Sequence, residues 1–79
     1  MDTIWRINDV AVKANRVIFL LRKYPHFFEP LERDEANAQI EQGLDVLRNS
    51  GIELIHNGSG LIVKFKYKGS IYPVLDYTK

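Results

Sequence analysis

The sequence predicts an α+β fold: two N-terminal helices packed on one face of a C-terminal three-stranded antiparallel β-meander. Three observations predict it. Residues 1–50 hold two apolar stripes at helical spacing, separated by Pro25 and Pro30. The last third alternates apolar with polar residues around two glycine-containing turns. No Pro-, Gly- or Ser-rich linker, repeat or low-complexity run divides the 79 residues, so residues 1–79 read as a single domain.

The first helix is predicted over about 3–23. Ile4, Ile7, Ala11, Ala14, Ile18 and Leu21 form one stripe, widened by Val10, Val17 and Tyr24. Asp2 and Thr3 are candidate N-caps, and Pro25 ends the helix because it disfavours α geometry at Tyr24. A strand over Val17–Leu21 is the competing reading, since several of these residues are β-branched or bulky. A second, thinner line, Trp5, Val12 and Phe19, repeats every seven residues about 120° from the centre of the first. One helix face cannot hold both lines.

Tyr24–Pro30 is a connector whose three aromatics are expected to fold back on the core. The second helix is predicted over about 31–50. Acidic residues load its start, Ala36, Ile40, Gly43, Leu44 and Leu47 form its apolar stripe, and Asn49-Ser50-Gly51 stops it. Gly43 on that stripe implies close approach to the first helix.

Strands are predicted over about 52–56, 61–67 and 70–75. Asn57-Gly58-Ser59-Gly60 joins the first two, and pairing His56 with Leu61 sets Leu54 against Val63 and Ile52 against Phe65. The other face then pairs Glu53 with Lys64 and Ile55 with Ile62. A turn at Lys68-Gly69 sets Tyr67 against Ser70, Phe65 against Tyr72 and Val63 against Val74. Pro73 marks the third strand as an edge.

Composition excludes several functions. With no cysteine there is no disulfide framework, thiolate metal site or cysteine nucleophile. No apolar run approaches the ~20 residues of a membrane span, and the start lacks a secretory pattern, so a cytoplasmic protein is expected. His26 and His56 stand thirty residues apart, so no metal or other cofactor is predicted. Ser50, Ser59 and Ser70 sit in predicted caps and turns, and the carboxylate pairs lie on a polar helix face. Neither a nucleophile elbow nor a P-loop occurs, and no small-molecule substrate is evident. The chain is therefore not expected to be an enzyme. Its element order resembles that of small bacterial toxin ribonucleases with a double-stranded-RNA-binding-like fold, which carry a histidine just after a Gly-Ser turn. The turn here, Gly58-Ser59-Gly60-Leu61, carries none, so the resemblance brings no activity with it.

Two binding readings remain. A domain this small buries only about 60–65% of the surface its unfolded chain exposes, which favours association with another chain. Trp5, Val12 and Phe19, with Ile55 and Ile62 on the outer sheet face, are the candidate contacts for a protein partner or a homodimer. The alternative is nucleic acid, bound by Lys64, Lys66 and Lys68 on one strand and by Lys13 and Arg16 on the first helix. Charge order weighs against it: net +3 over 1–26, −4 over 27–50 and +2 over 51–79, for a total of +1. The second helix would be repelled by phosphate.

Overall fold

A computed structural model describes residues 2–76, and within them the chain runs helix, short 3-10 turn, helix, then three strands. Helix α1 spans Asp2–Lys23 without a break, which settles residues 17–21 as helix. Both candidate caps, Asp2 and Thr3, fall inside it, and the residue before it lies outside those described. Ile7, Ala11, Ala14 and Leu21 are buried as the main stripe requires.

The connector forms a 3-10 turn over Pro25–Phe27. Its aromatics do not all return to the core. Tyr24 and Phe27 meet edge to face at 5.7 Å, and Phe27 is 78% exposed. Only Phe28 is half-buried among the connector's phenylalanines. The tight turn leaves Phe27 on the surface against Tyr24.

Helix α2 spans Pro30–Asn49, with Pro30 in its first turn, where the missing N–H costs nothing. The Glu32 carboxylate accepts the N–H of the cap residue Glu29 at 3.0 Å. At the far end, Gly51 takes φ +84°; its N–H donates to the Arg48 carbonyl, and the Ile52 N–H donates to the Leu47 carbonyl. This paired closure needs a residue that tolerates left-handed geometry, and it delivers Ile52 directly into the core beside Leu47. Gly43 faces Val10, but a Cβ there would meet Val10 Cγ1 at 3.8 Å, an ordinary contact. The helices approach each other without requiring glycine.

Strands β1 (Glu53–His56), β2 (Ile62–Tyr67) and β3 (Ser70–Pro73) form an antiparallel sheet in the order β1-β2-β3. The second hairpin has the predicted register, Tyr67 opposite Ser70 and Phe65 opposite Tyr72. Lys68 and Gly69 both take positive φ in its two-residue turn, so Lys68 leaves the strand.

The first hairpin does not have the predicted register. Glu53 lies opposite Lys66, Leu54 opposite Phe65 and Ile55 opposite Lys64, and the register shifts again at His56, opposite Ile62. Two causes combine. The Asn57 Oδ1 accepts the N–H groups of Ser59 and Leu61, and the Asn57 N–H donates to the Leu61 carbonyl. This makes a three-residue loop with left-handed Gly60 at its end, displacing the closing pair by one. A bulge in β2 then adds a residue around Val63. The bulge reverses side-chain parity, so Ile62 turns inward to 1% exposure along with Phe65, three residues on.

The core joins Ile7, Ala11 and Ala14 of α1 and Leu44 and Leu47 of α2 to Ile52, Ile62 and Phe65. Tyr72 stacks on Phe65 at 5.4 Å. Both helices cover the same sheet face, and α2 leans on β1 while α1 leans on β2. Among the described residues, no helix is long and apolar enough to cross a membrane.

Candidate functional site

The side of α1 turned away from α2 carries two asparagines seven residues apart. Asparagine is a poor helix former, because its amide competes with the backbone, so each needs a reason to be there. Each grips both backbone groups of a single residue. The Asn15 amide donates to the Ile62 carbonyl and accepts the Ile62 N–H, both at 2.8 Å. The Asn8 amide donates to the Leu75 carbonyl at 2.8 Å and accepts the Leu75 N–H at 2.7 Å. A side-chain amide has the donor–acceptor geometry of a strand residue, so each asparagine serves as one more rung of the sheet.

The rungs sit where rungs are needed. The Val74 N–H still pairs with the Val63 carbonyl, but β3 then parts from β2. Ile62 lies next to the bulge, opposite His56, and Asn15 takes its backbone N–H and carbonyl. Asn8 takes those of Leu75 and draws the chain after Val74 across α1. The Arg16 guanidinium pairs with the Asp76 carboxylate, with Nε 3.2 Å from Oδ2. Residues 74–76 thus lie along α1 as a strap.

This strap corrects the reading of the second apolar line. Val12, at its centre, is only 7% exposed, because residues 74–76 pass over it. Ile62 is likewise interior. Neither offers surface to a partner in this fold. Trp5 and Phe19, at the two ends of the line, are 56% and 52% exposed. They are joined by Leu75 from the strap and Leu20 from α1, both exposed.

The surface between the two aromatics contains two open grooves. One, of about 460 Å³, is lined by Trp5, Asp9, Val12 and Leu75 among others. The other, of about 400 Å³, is lined by Asn15, Phe19 and Leu20. Arg16 and Asp76 border both, so their ion pair forms the wall between them. Beyond Phe19, the Lys23 ammonium lies 5.3 Å from the Phe19 ring centroid.

The remaining candidates are dispersed. Ile55 is half-buried on the outer sheet face between Glu53 and His56, opposite Lys64 instead of Ile62. Lys64 and Lys66 are exposed on that same face, with Glu53 directly opposite Lys66. Lys68 sits in the turn, its ammonium 5.3 Å from the Tyr67 ring. Lys13 pairs with Asp9 at 2.9 Å. Lys13 and Arg16 belong to α1, which covers the opposite face of the sheet, so the five cations do not form one basic surface. His26 and His56 are both exposed. Among the described residues, no group of three or more metal-ligating side chains is gathered. The Arg48 guanidinium is pushed above its ordinary pKa by its hydrogen bonds to Asp45 and Glu41, which anchors the last turn of α2.

Sequence reasoning found the exposed aromatics and missed the asparagines. Their signal was available: two poor helix formers at heptad spacing, flanking the apolar line. In the comparisons with known proteins, no family model, curated protein or solved structure matches the chain.

Proposed function

We propose that this protein is a small protein–protein interaction module of the cytoplasm, self-associating, that makes contact through the face built by α1 and the strap. The observation that carries this reading is the pair Trp5 and Phe19, each more than half exposed at opposite ends of one helix face. Burying a tryptophan or phenylalanine is among the largest single gains available to a domain this size, and a fold with a thin core has reason to use both. Leu75 lies beside Trp5 and Leu20 beside Phe19, so each end of the face presents an exposed aromatic with an exposed leucine. Tryptophan is also enriched at binding hot spots.

Replacing Trp5 and Phe19 together by serine tests the reading. Both are surface positions, so the variant is expected to keep the wild-type circular dichroism spectrum. Sedimentation equilibrium is expected to show association weakened at least tenfold. Unchanged association in a folded variant would reject this face as the contact. The nucleic-acid reading is the weaker one, since Lys13, Arg16 and Lys66 already face carboxylates and the lysines are divided between two sides of the molecule. Binding of RNA or DNA that falls steeply with added salt, and falls further when Lys64, Lys66 and Lys68 become glutamine, would favour it instead.

A further inference from the structure

The strap over Val12 is attached differently from the rest of the fold. Strand β3 ends at Pro73, and the Val74 N–H to the Val63 carbonyl is the last sheet bond among the described residues. Beyond it, the Asn8 amide grips Leu75 and the Arg16 guanidinium pairs with Asp76, both from α1. We infer that Leu75 and Asp76 form a latch. They release from α1 about Val74 while the helices and the sheet stay folded, and their release uncovers Val12 and joins Trp5, Val12 and Phe19 into one apolar line. The release does not require that this face bind a partner.

Three features of the strap support a separate opening. First, the latch shares little of the core. Leu75 is 45% exposed, whereas Val74 packs against the core and stays behind as the hinge. Helix α1 is held from its other side by Ile7, Ala11 and Ala14, which the latch does not touch. A segment with few buried apolar contacts opens at a lower cost than the whole domain.

Secondly, the polar groups that the latch releases end in water. Opening hydrates the Asn8 amide together with the backbone groups of Leu75, so each exchanges one hydrogen bond for another. The side chains of the Arg16–Asp76 pair are 45% and 30% exposed, where an ion pair contributes little. The second asparagine makes the contrast. Ile62 is 1% exposed, so its rung with Asn15 cannot open unless the sheet does. Thirdly, what the latch covers is apolar. Val12 and Asp76 border the same two grooves, with Leu75 in one and Val74 in the other. Covering one valine favours the closed state by far less than the whole core does, which leaves the open state as a minor population.

The variant Val12→Cys places a thiol under the latch, in a chain with no other cysteine. Its labelling by N-ethylmaleimide is followed in dilute solution at urea concentrations below the unfolding transition. Release of two residues exposes little surface. The labelling rate is therefore expected to exceed what global unfolding permits by about tenfold or more, and to rise only weakly with urea. In the same background, Asn8→Ala is expected to speed labelling about tenfold and Asp76→Asn about two- to fivefold, with the urea dependence still shallow. Labelling with the full urea dependence of global unfolding would overturn the latch. So would fast labelling unchanged by either added substitution, because the thiol would then be reached with the latch shut. Hydrogen exchange in the unsubstituted chain gives a second reading, free of any effect of Val12→Cys on folding. The Leu75 amide is expected to exchange with a shallow urea dependence and the Ile62 amide with a steep one. Equally steep dependences would overturn the latch.

Discussion

Asn8 and Asn15 show how much of this fold rests on two side chains with no apolar surface to contribute. Removing an amide partner from a backbone pair leaves a donor and an acceptor to find water or go unsatisfied, at a cost of about 1–3 kcal/mol when they are buried. Ile62 is interior, so Asn15→Ala is expected to lower unfolding stability by about 2–3 kcal/mol in urea titration. Asn8 is itself buried, at 8% exposure, so Asn8→Ala is expected to cost about 1–3 kcal/mol as well. Its sharper effect should be faster hydrogen exchange at the Leu75 amide, with the Phe65 amide unaffected. A double variant whose loss departs clearly from the sum of the two single losses would show that the asparagines do not act as separate rungs. Residue identity alone did not disclose this role. The partners lie 47 and 67 residues away, too far along the chain for local spacing to reveal them. Val12 was misjudged for the same reason. Its place on the second apolar line was legible, but the strap that covers it has only three residues and no periodicity to mark it.

The elements themselves were legible in proportion to how locally they are determined. Both helices, their separation by prolines and the stop at Gly51 follow from periodicity and capping chemistry within a few residues. The Lys68-Gly69 hairpin has the expected register because a two-residue turn admits only one. The first hairpin depends on a side chain. The Asn57 carboxamide closes a three-residue loop, and the bulge then shifts the parity of everything before Lys64. Counting outward from Asn57-Gly58-Ser59-Gly60 could not show which of these would happen. Gly43 yields a prediction at this scale. A Cβ there meets only Val10, at ordinary contact distance, so the glycine carries a helix-propensity cost with no steric return. Gly43→Ala is expected to stabilise the protein by about 0.5–1 kcal/mol in urea or thermal unfolding. A loss of stability would mean that the two helices are packed more tightly there than the 3.8 Å spacing indicates.

At the scale of the whole molecule, two layers of secondary structure enclose a narrow core, and α1 is a 22-residue helix with only part of its circumference covered. The main stripe faces α2 and the sheet, and the strap covers the middle of the other side. What remains is an aromatic at each end, with Leu20 and Leu75 beside them. The doubled apolar pattern of α1 made the exposed Trp5 and Phe19 legible from the sequence, but which part of that line stays exposed is set by the tertiary structure. Trp5 is the one tryptophan in the chain, so its fluorescence reports directly on this face. The measurement is the Trp5 emission maximum followed over a dilution series, from concentrations above the dimer dissociation constant to well below it. If the α1 face is the contact, emission shifts to the red on dilution as the indole returns to water, and the midpoint agrees with that from sedimentation. An emission maximum that stays at the solvent-exposed value across the whole series would contradict association through this face.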